Sequence, residues 1–308
     1  MSASTLFPLQ TLIQRAETVI FGKRREISLA LACALARGHL LIEDLPGLGK
    51  TLLARVLARL LGLSFARVQC TSDLLPADVT GVSVYERERG QFRFVPGPVF
   101  TQVLLADEIN RATPKTQSAL LEAMEEKQVT VDGETRPLPH PFFVIATQNP
   151  AYQIGAFPLP ESQLDRFLLR LSLGYPDEAA ERALLSEGDS RIRLDTLEPA
   201  LTPQELLAHQ AAAEKIFVAP ALLDYVQAIL AATRAHPVFL HGLSPRAGLG
   251  LLALARALAY LEGRKAVLPD DLQTLFSGVA CHRLLSRQRQ SSALPEEAET
   301  LLRSVPIP

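Results

Sequence analysis

Short apolar runs alternate with helix-period segments through the first half of the chain. Leu40–Glu43, Ser64–Gln69, Val103–Asp107, Phe142–Thr147 and Phe167–Leu173 read as strands. Leu9–Val19, Arg24–Arg37 and the stretch from Lys50 through Leu60 read as helices. Apolar strands separated by helical patterns predict a parallel sheet covered on both faces. Gly174-Tyr-Pro-Asp177 breaks the pattern, and no sheet-like run follows it. Beyond the break, Glu205–Ala213, Ala221–Ala235, Leu249–Glu262 and Asp270–Leu285 keep the 3.6 period, and Ser291–Pro308 holds a last helix and a loose end. The expectation is an α/β unit over residues 1–176 and an all-helical unit over 177–308. Two polar-tipped alternating segments, Val82–Phe94 and Val129–Arg136, read as hairpins inserted in the α/β unit; the second carries an Asp132-Gly133 turn.

Composition narrows the class. With 48% hydrophobic and 21% charged residues, the chain can bury a sizeable core. A formal net charge of −2 gives no basic excess to draw nucleic acid. Cys33, Cys70 and Cys281 are far apart and lack metal-ligand spacing, which fits inert thiols in a reducing cytoplasm. No apolar run approaches a bilayer span, and the N-terminus lacks a signal pattern.

The chemistry concentrates after the first strand. Leu40–Glu43 runs into Pro46-Gly47-Leu48-Gly49-Lys50-Thr51-Leu52 and then a helix, the layout of a phosphate-binding loop. Glycines admit backbone N–H groups to phosphate oxygens, and the helix directs its positive end at the anion. Lys50 would reach the β- and γ-phosphates, and Thr51 would hold Mg²⁺. The loop pattern expects Gly where Asp44 stands. An ordinary Gly-rich turn would also join a strand to a helix.

The Val103–Asp107 strand ends in Asp107-Glu108. Ligands of parallel sheets bind beyond the carboxyl ends of strands. There Asp107 would ligate Mg²⁺ and Glu108 would deprotonate the attacking water. Asp-Glu after a strand is also a common helix start. The joint occurrence favours a nucleotide hydrolase. Thr147-Gln148-Asn149 would put an amide between the loop and the carboxylates. Arg166 could bridge Asp165 within one chain, or reach a neighbour's γ-phosphate as an arginine finger worth ~10³–10⁵ in rate. Ser244-Pro245 caps a helix, and Arg246 in its first turn opposes the helix dipole, which hints at an anion partner.

Together, Pro46–Thr51, Leu74-Leu-Pro-Ala-Asp-Val-Thr-Gly81, Pro96-Gly-Pro-Val-Phe100, Ala106-Asp-Glu-Ile-Asn-Arg-Ala112, Thr147–Pro150, Leu164-Asp-Arg-Phe167 and Ser244-Pro-Arg246 resemble a MoxR-type AAA+ ATPase over nearly the whole chain. The resemblance implies a P-loop α/β core with a C-terminal helical lid, ATP and Mg²⁺ as ligands, and a homo-oligomeric ring, usually a hexamer. It implies Walker A at Lys50 and Thr51, Walker B at Asp107 and Glu108, sensor 1 at Asn149, the arginine finger at Arg166 and sensor 2 at Arg246. Ile20, Phe21 and Gly22 would lie near the adenine. It further implies chaperone-like remodelling or maturation of a client with a von Willebrand factor A-domain partner, in which nucleotide closes the lid on the core. A nucleic-acid motor of the related helicase branch stays open as the alternative.

Overall fold

A computed structural model describes residues 7–149, 157–188, 190–289 and 291–308. Pro150, which closes the Thr147–Pro150 motif, lies outside them. Helices α1 (Phe7–Glu17) and α2 (Arg24–Leu35) precede β1 (Leu40–Glu43), and the glycine loop leads into α3 (Lys50–Leu60). Then come β2 (Phe65–Gln69), α4 (Pro76–Thr80) and the antiparallel hairpin of β3 (Gly81–Glu86) and β4 (Gln91–Pro96). Strand β5 (Val103–Asp107) passes through a 3₁₀ turn at Ile109–Arg111 into α5 (Pro114–Glu126). A second hairpin, β6 (Gln128–Val131) with β7 (Glu134–Pro137), is followed by β8 (Phe143–Gln148), α6 (Glu161–Leu164) and β9 (Leu169–Leu171).

Five of these strands form one parallel sheet in the order β2-β5-β8-β1-β9. Period-2 alternation splits its side chains between two cores. Leu40, Ile42, Leu105 and Ile145 face α1–α3 and the C-terminal helices. Leu41, Leu104, Val144 and Ala146 face α5. The register pairs Gln69 with Asp107 and Glu43 with Gln148, which aligns the carboxyl ends of four strands on one edge. The fifth strand is shorter than its Phe167–Leu173 apolar run, because Phe167 and Leu173 bury themselves outside the ladder.

The remainder is mostly helical: α7 (Glu178–Glu187), α8 (Ser190–Asp195), α9 (Pro203–Ala213), α10 (Pro220–Ala235), α11 (Pro245–Leu261), α12 (Pro269–Ala280) and α13 (Pro295–Arg303). Proline opens α9 through α13, where its missing N–H removes no helical bond. A strand pair, β10 (Leu285–Ser286) with β11 (Ser291–Ser292), corrects the expectation of no strand after Gly174; two residues per strand leave no readable period. Helix α11 packs on α2 and α12 on β9, so one hydrophobic core runs from Leu9 to Val305 through both parts.

Candidate active site

At the carboxyl edge of the sheet lies a cavity of about 670 Å³, lined by Pro46, Gly47, Gly49, Lys50, Thr51, Leu52, Arg55, Arg67, Gln69, Asp107, Glu108 and Asn149. Three cations (Lys50, Arg55, Arg67) face two carboxylates (Asp107, Glu108), so its walls carry an excess positive charge suited to a polyanion. Gly47 and Gly49 both hold φ +86°, and a Cβ on either would meet nothing within 4 Å. The backbone there needs glycine for its left-handed conformation, and the space above it is open. Gly49 caps α3, whose first N–H groups and dipole face the cavity.

Lys50 is buried, and its ammonium donates to the carbonyls of Asp44 (2.5 Å) and Leu45 (3.1 Å) and to Asn149 Oδ1 (3.2 Å). Burial lowers its pKa, opposed by the charges of Asp44, Asp107 and Glu108. Asn149 Nδ2 donates to Glu108 Oε1 at 2.8 Å. The amide therefore bridges the loop lysine and the second acid, which follows from β8 lying between β1 and β5. Glu108 sits at φ +57°, just past the strand end, and also accepts from Gln69 Nε2 (3.1 Å) and Arg111 NH1 (3.1 Å). Asp107 accepts from Thr147 Oγ1 (2.5 Å) and, through Oδ2, from Thr51 Oγ1 (3.4 Å) and Arg67 (2.7 and 3.1 Å).

Arg55, Arg67 and Gln69 escaped the sequence reading. Arg67 and Gln69 flank Val68 on β2, and only the strand order sets them beside Asp107. Asp44 also gains a part. Its carboxylate accepts from Leu45 N, Ser172 Oγ, Leu173 N and Gly174 N, tying the loop to the exit of β9.

Other expected residues lie elsewhere. Leu48 is half-buried and does not line the cavity. Ile20 is buried in the core, the Arg193 guanidinium lies 4.8 Å from the Phe21 ring centroid, and Gly22 packs on α7 near Asp177 and Ala180. Arg166 and Arg246 do not line the cavity; both pair with Glu125, at 3.0 Å each. Arg246 therefore stands away from the cavity of its own chain. The seating of α11 on α2 directs its first turn to the C-terminal end of α5 instead. Of the two partners left open for Arg166, Asp165 is not the one it meets: Asp165 pairs with the buried Arg283 at 2.7 Å.

A three-layer sheet with a glycine loop, paired acids and a helical extension defines a P-loop ATPase. Residues 39–169 match the ATPase family associated with various cellular activities (AAA), and residues 231–305 match the AAA lid domain. The chain is 40% identical to the chaperone MoxR1 of Mycobacterium tuberculosis, covering 92% of this chain and 77% of that one. It is 32% identical to the protein MoxR of Paracoccus denitrificans, covering 94% and 93%. A crystal structure of a candidate ATPase from Cytophaga hutchinsonii superposes with a TM-score of 0.89 at 34% identity, covering 99% and 96%. The chain belongs to the MoxR family of AAA+ ATPases. Among the described residues, no helix is long and apolar enough to cross a membrane.

Proposed function

We propose that this chain hydrolyses ATP with Mg²⁺ in a homo-oligomeric ring, a hexamer, and uses the cycle to remodel or mature a client protein beside a von Willebrand factor A-domain partner. The observation that carries the reading is the Lys50–Asn149–Glu108 bridge at the mouth of a glycine loop. Lys50 gives up its carbonyl contacts to donate to the β- and γ-phosphates. Glu108 takes a proton from the attacking water as the bond from the γ-phosphorus to the bridging oxygen breaks, yielding ADP and phosphate. Asn149 orients Glu108 and senses the γ-phosphate through Lys50.

The donor set suits a hard divalent ion. Thr51 Oγ1 and Asp107 Oδ2 are 3.4 Å apart, and the Arg67 guanidinium already lies on that carboxylate oxygen as a cationic stand-in. Among the described residues, no group of three His, Cys, Asp or Glu side chains could hold a metal, so phosphate and water oxygens would complete the shell. Bound Mg²⁺ supplies neutralisation of the phosphate charge. Arg166 serves a neighbouring subunit's γ-phosphate, and Arg246 serves the same neighbour. Residues 1–176 act as the nucleotide-binding unit and 177–308 as the lid.

Support for a protein client over nucleic acid comes from the first hairpin, where Glu86 pairs with both Arg93 (3.0 Å) and Arg89 (3.6 Å). The test is Glu108→Gln: nucleotide binding is retained and turnover falls ~10²–10⁴-fold. Undiminished turnover in that variant refutes the base, full turnover by a dilute lone subunit refutes the ring, and ATP-strengthened, salt-sensitive DNA binding refutes the client class.

A further inference from the structure

Glu125 occupies the last turn of α5, where the helix dipole disfavours an acid. Arg246 occupies the first turn of α11, where the dipole disfavours a cation. Neither placement serves its own helix. The two side chains meet at 3.0 Å between Arg246 NH1 and Glu125 Oε1. The other carboxylate oxygen, Oε2, lies 3.0 Å from Arg166 Nε. One acid thus holds two guanidiniums, one on each oxygen, and the trio keeps an excess positive charge.

The atoms used are informative. Arg166 is anchored through its inner nitrogen, which leaves its terminal NH1 and NH2 without a hydrogen-bond partner among the described residues. Arg246 is anchored through one terminal nitrogen. The trio faces solvent: side-chain exposures are 27% for Arg166, 37% for Glu125 and 52% for Arg246. The backbone on both sides of Arg166 is fixed as well. Buried Arg283 donates through NH2 to the carbonyls of Asp165 (3.1 Å) and Phe167 (2.6 Å) and through Nε to Asp165 Oδ1 (2.7 Å). Rigid support of this kind is what a preorganised anion contact requires.

A carboxylate edge and a phosphate edge each present two oxygens to a guanidinium fork. We infer that Glu125 is a positioning residue: it spaces Arg166 and Arg246 so that their free N–H groups converge on one terminal phosphate of a triphosphate held by a second copy of this chain. The inference rests on the reading above that Arg166 acts across the subunit boundary. Glu125 touches no reacting atom. It neutralises one of the two cations so that they can stand side by side before the anion arrives, and it stays in place afterwards.

The test compares Glu125→Gln, Glu125→Ala, Arg166→Ala, Arg246→Ala and the Glu125→Ala/Arg166→Ala double variant as full-length protein. Steady-state ATP turnover is measured at assembling concentrations, affinity with a fluorescent ATP analogue, and stability by thermal melting. Glu125→Gln keeps the shape and one acceptor oxygen, so it carries the test should the alanine variant not fold. We expect it to bind nucleotide within about two-fold of the parent while kcat falls ~10²-fold, the scale of a misplaced catalytic group. Arg166→Ala loses ~10³-fold or more, and the double variant loses no more than Arg166→Ala alone. A purely structural Glu125 would instead lower the melting temperature and multiply its loss with that of Arg166. That multiplication overturns the inference, as does parental kcat in Glu125→Gln while Arg166→Ala and Arg246→Ala are impaired. Parental kcat in Arg166→Ala and Arg246→Ala would bring down the trans reading itself, and the inference with it.

Discussion

Replacing Asp44 by Gly would restore the residue that the phosphate-loop pattern expects there, yet it should weaken the protein. Asp44 is only 9% exposed. Its Oδ1 accepts from the Leu45 amide at 2.9 Å, and its Oδ2 accepts from Ser172 Oγ (3.1 Å), Leu173 N (2.7 Å) and Gly174 N (2.7 Å). With glycine, the Ser172 hydroxyl can rotate to water and the Leu45 amide lies near the surface. The main-chain donors of buried Leu173 and half-buried Gly174 are stranded. An unmet buried donor costs ~1–3 kcal/mol, and glycine adds ~0.5–1 kcal/mol of backbone entropy. With two such donors the loss is about 2.5–7 kcal/mol, toward the lower end because Gly174 is half-buried, read as a lower urea midpoint at unchanged slope. Because residues 172–174 lead out of β9, amide exchange should also quicken locally there. A variant within about 0.5 kcal/mol of the parent, with unchanged exchange at 172–174, would refute the claim that this carboxylate ties the loop to the exit of β9.

Two further outcomes follow from buried and paired charge. Burial holds the His39 pKa at about 4 against an ordinary 6.5, and the ring accepts from Val144 N at Nδ1 (3.0 Å) while Nε2 faces the Met124 carbonyl (3.2 Å). The unfolded chain takes up that proton first, so this stability is complete above pH 6.5 and is lost as pH falls toward 4, by roughly 3 kcal/mol at most. His39→Gln can keep both bonds without titrating and should flatten that loss in urea titrations; superimposable pH profiles would disprove it. Arg67 lies on Asp107 Oδ2, and under the proposal that Asp107 helps hold Mg²⁺ it would compete with the ion, so Arg67→Ala should lower the Mg²⁺ needed for half-maximal binding of a fluorescent ATP analogue by about two- to five-fold, the scale of a half-exposed ion pair. An unchanged or higher requirement would count against competition.

The Lys50, Thr51, Asp107, Glu108 and Asn149 constellation could be read along the chain because Asp107, Glu108 and Asn149 stand at or just past strand ends marked by an apolar run and a polar break, while Lys50 and Thr51 open a helix directly after a glycine turn. The 3.6 period likewise marked α9 to α12, whereas α7 and α8, without proline starts, were not singled out. Arg55, Arg67 and Gln69 carried no such mark. An arginine on a strand or helix face looks solvated until the neighbouring strand is known, and the pairing of β2 with β5 is what brings Arg67 to Asp107.

Periodicity, glycine placement and paired acids are local properties, and by themselves they determine a parallel sheet, a phosphate-loop layout and a helical extension. Strand order, helix seating and many charge partners depend on residues distant in sequence, such as Arg67 with Asp107 (40 apart), Glu125 with Arg246 (121 apart) and Asp44 with Gly174 (130 apart). No short-range pattern encodes those distances. Packing of α11 on α2 decided that Arg246 turns away from its own nucleotide cavity, and packing of β9 beside β1 decided that Asp44 holds the path to the lid.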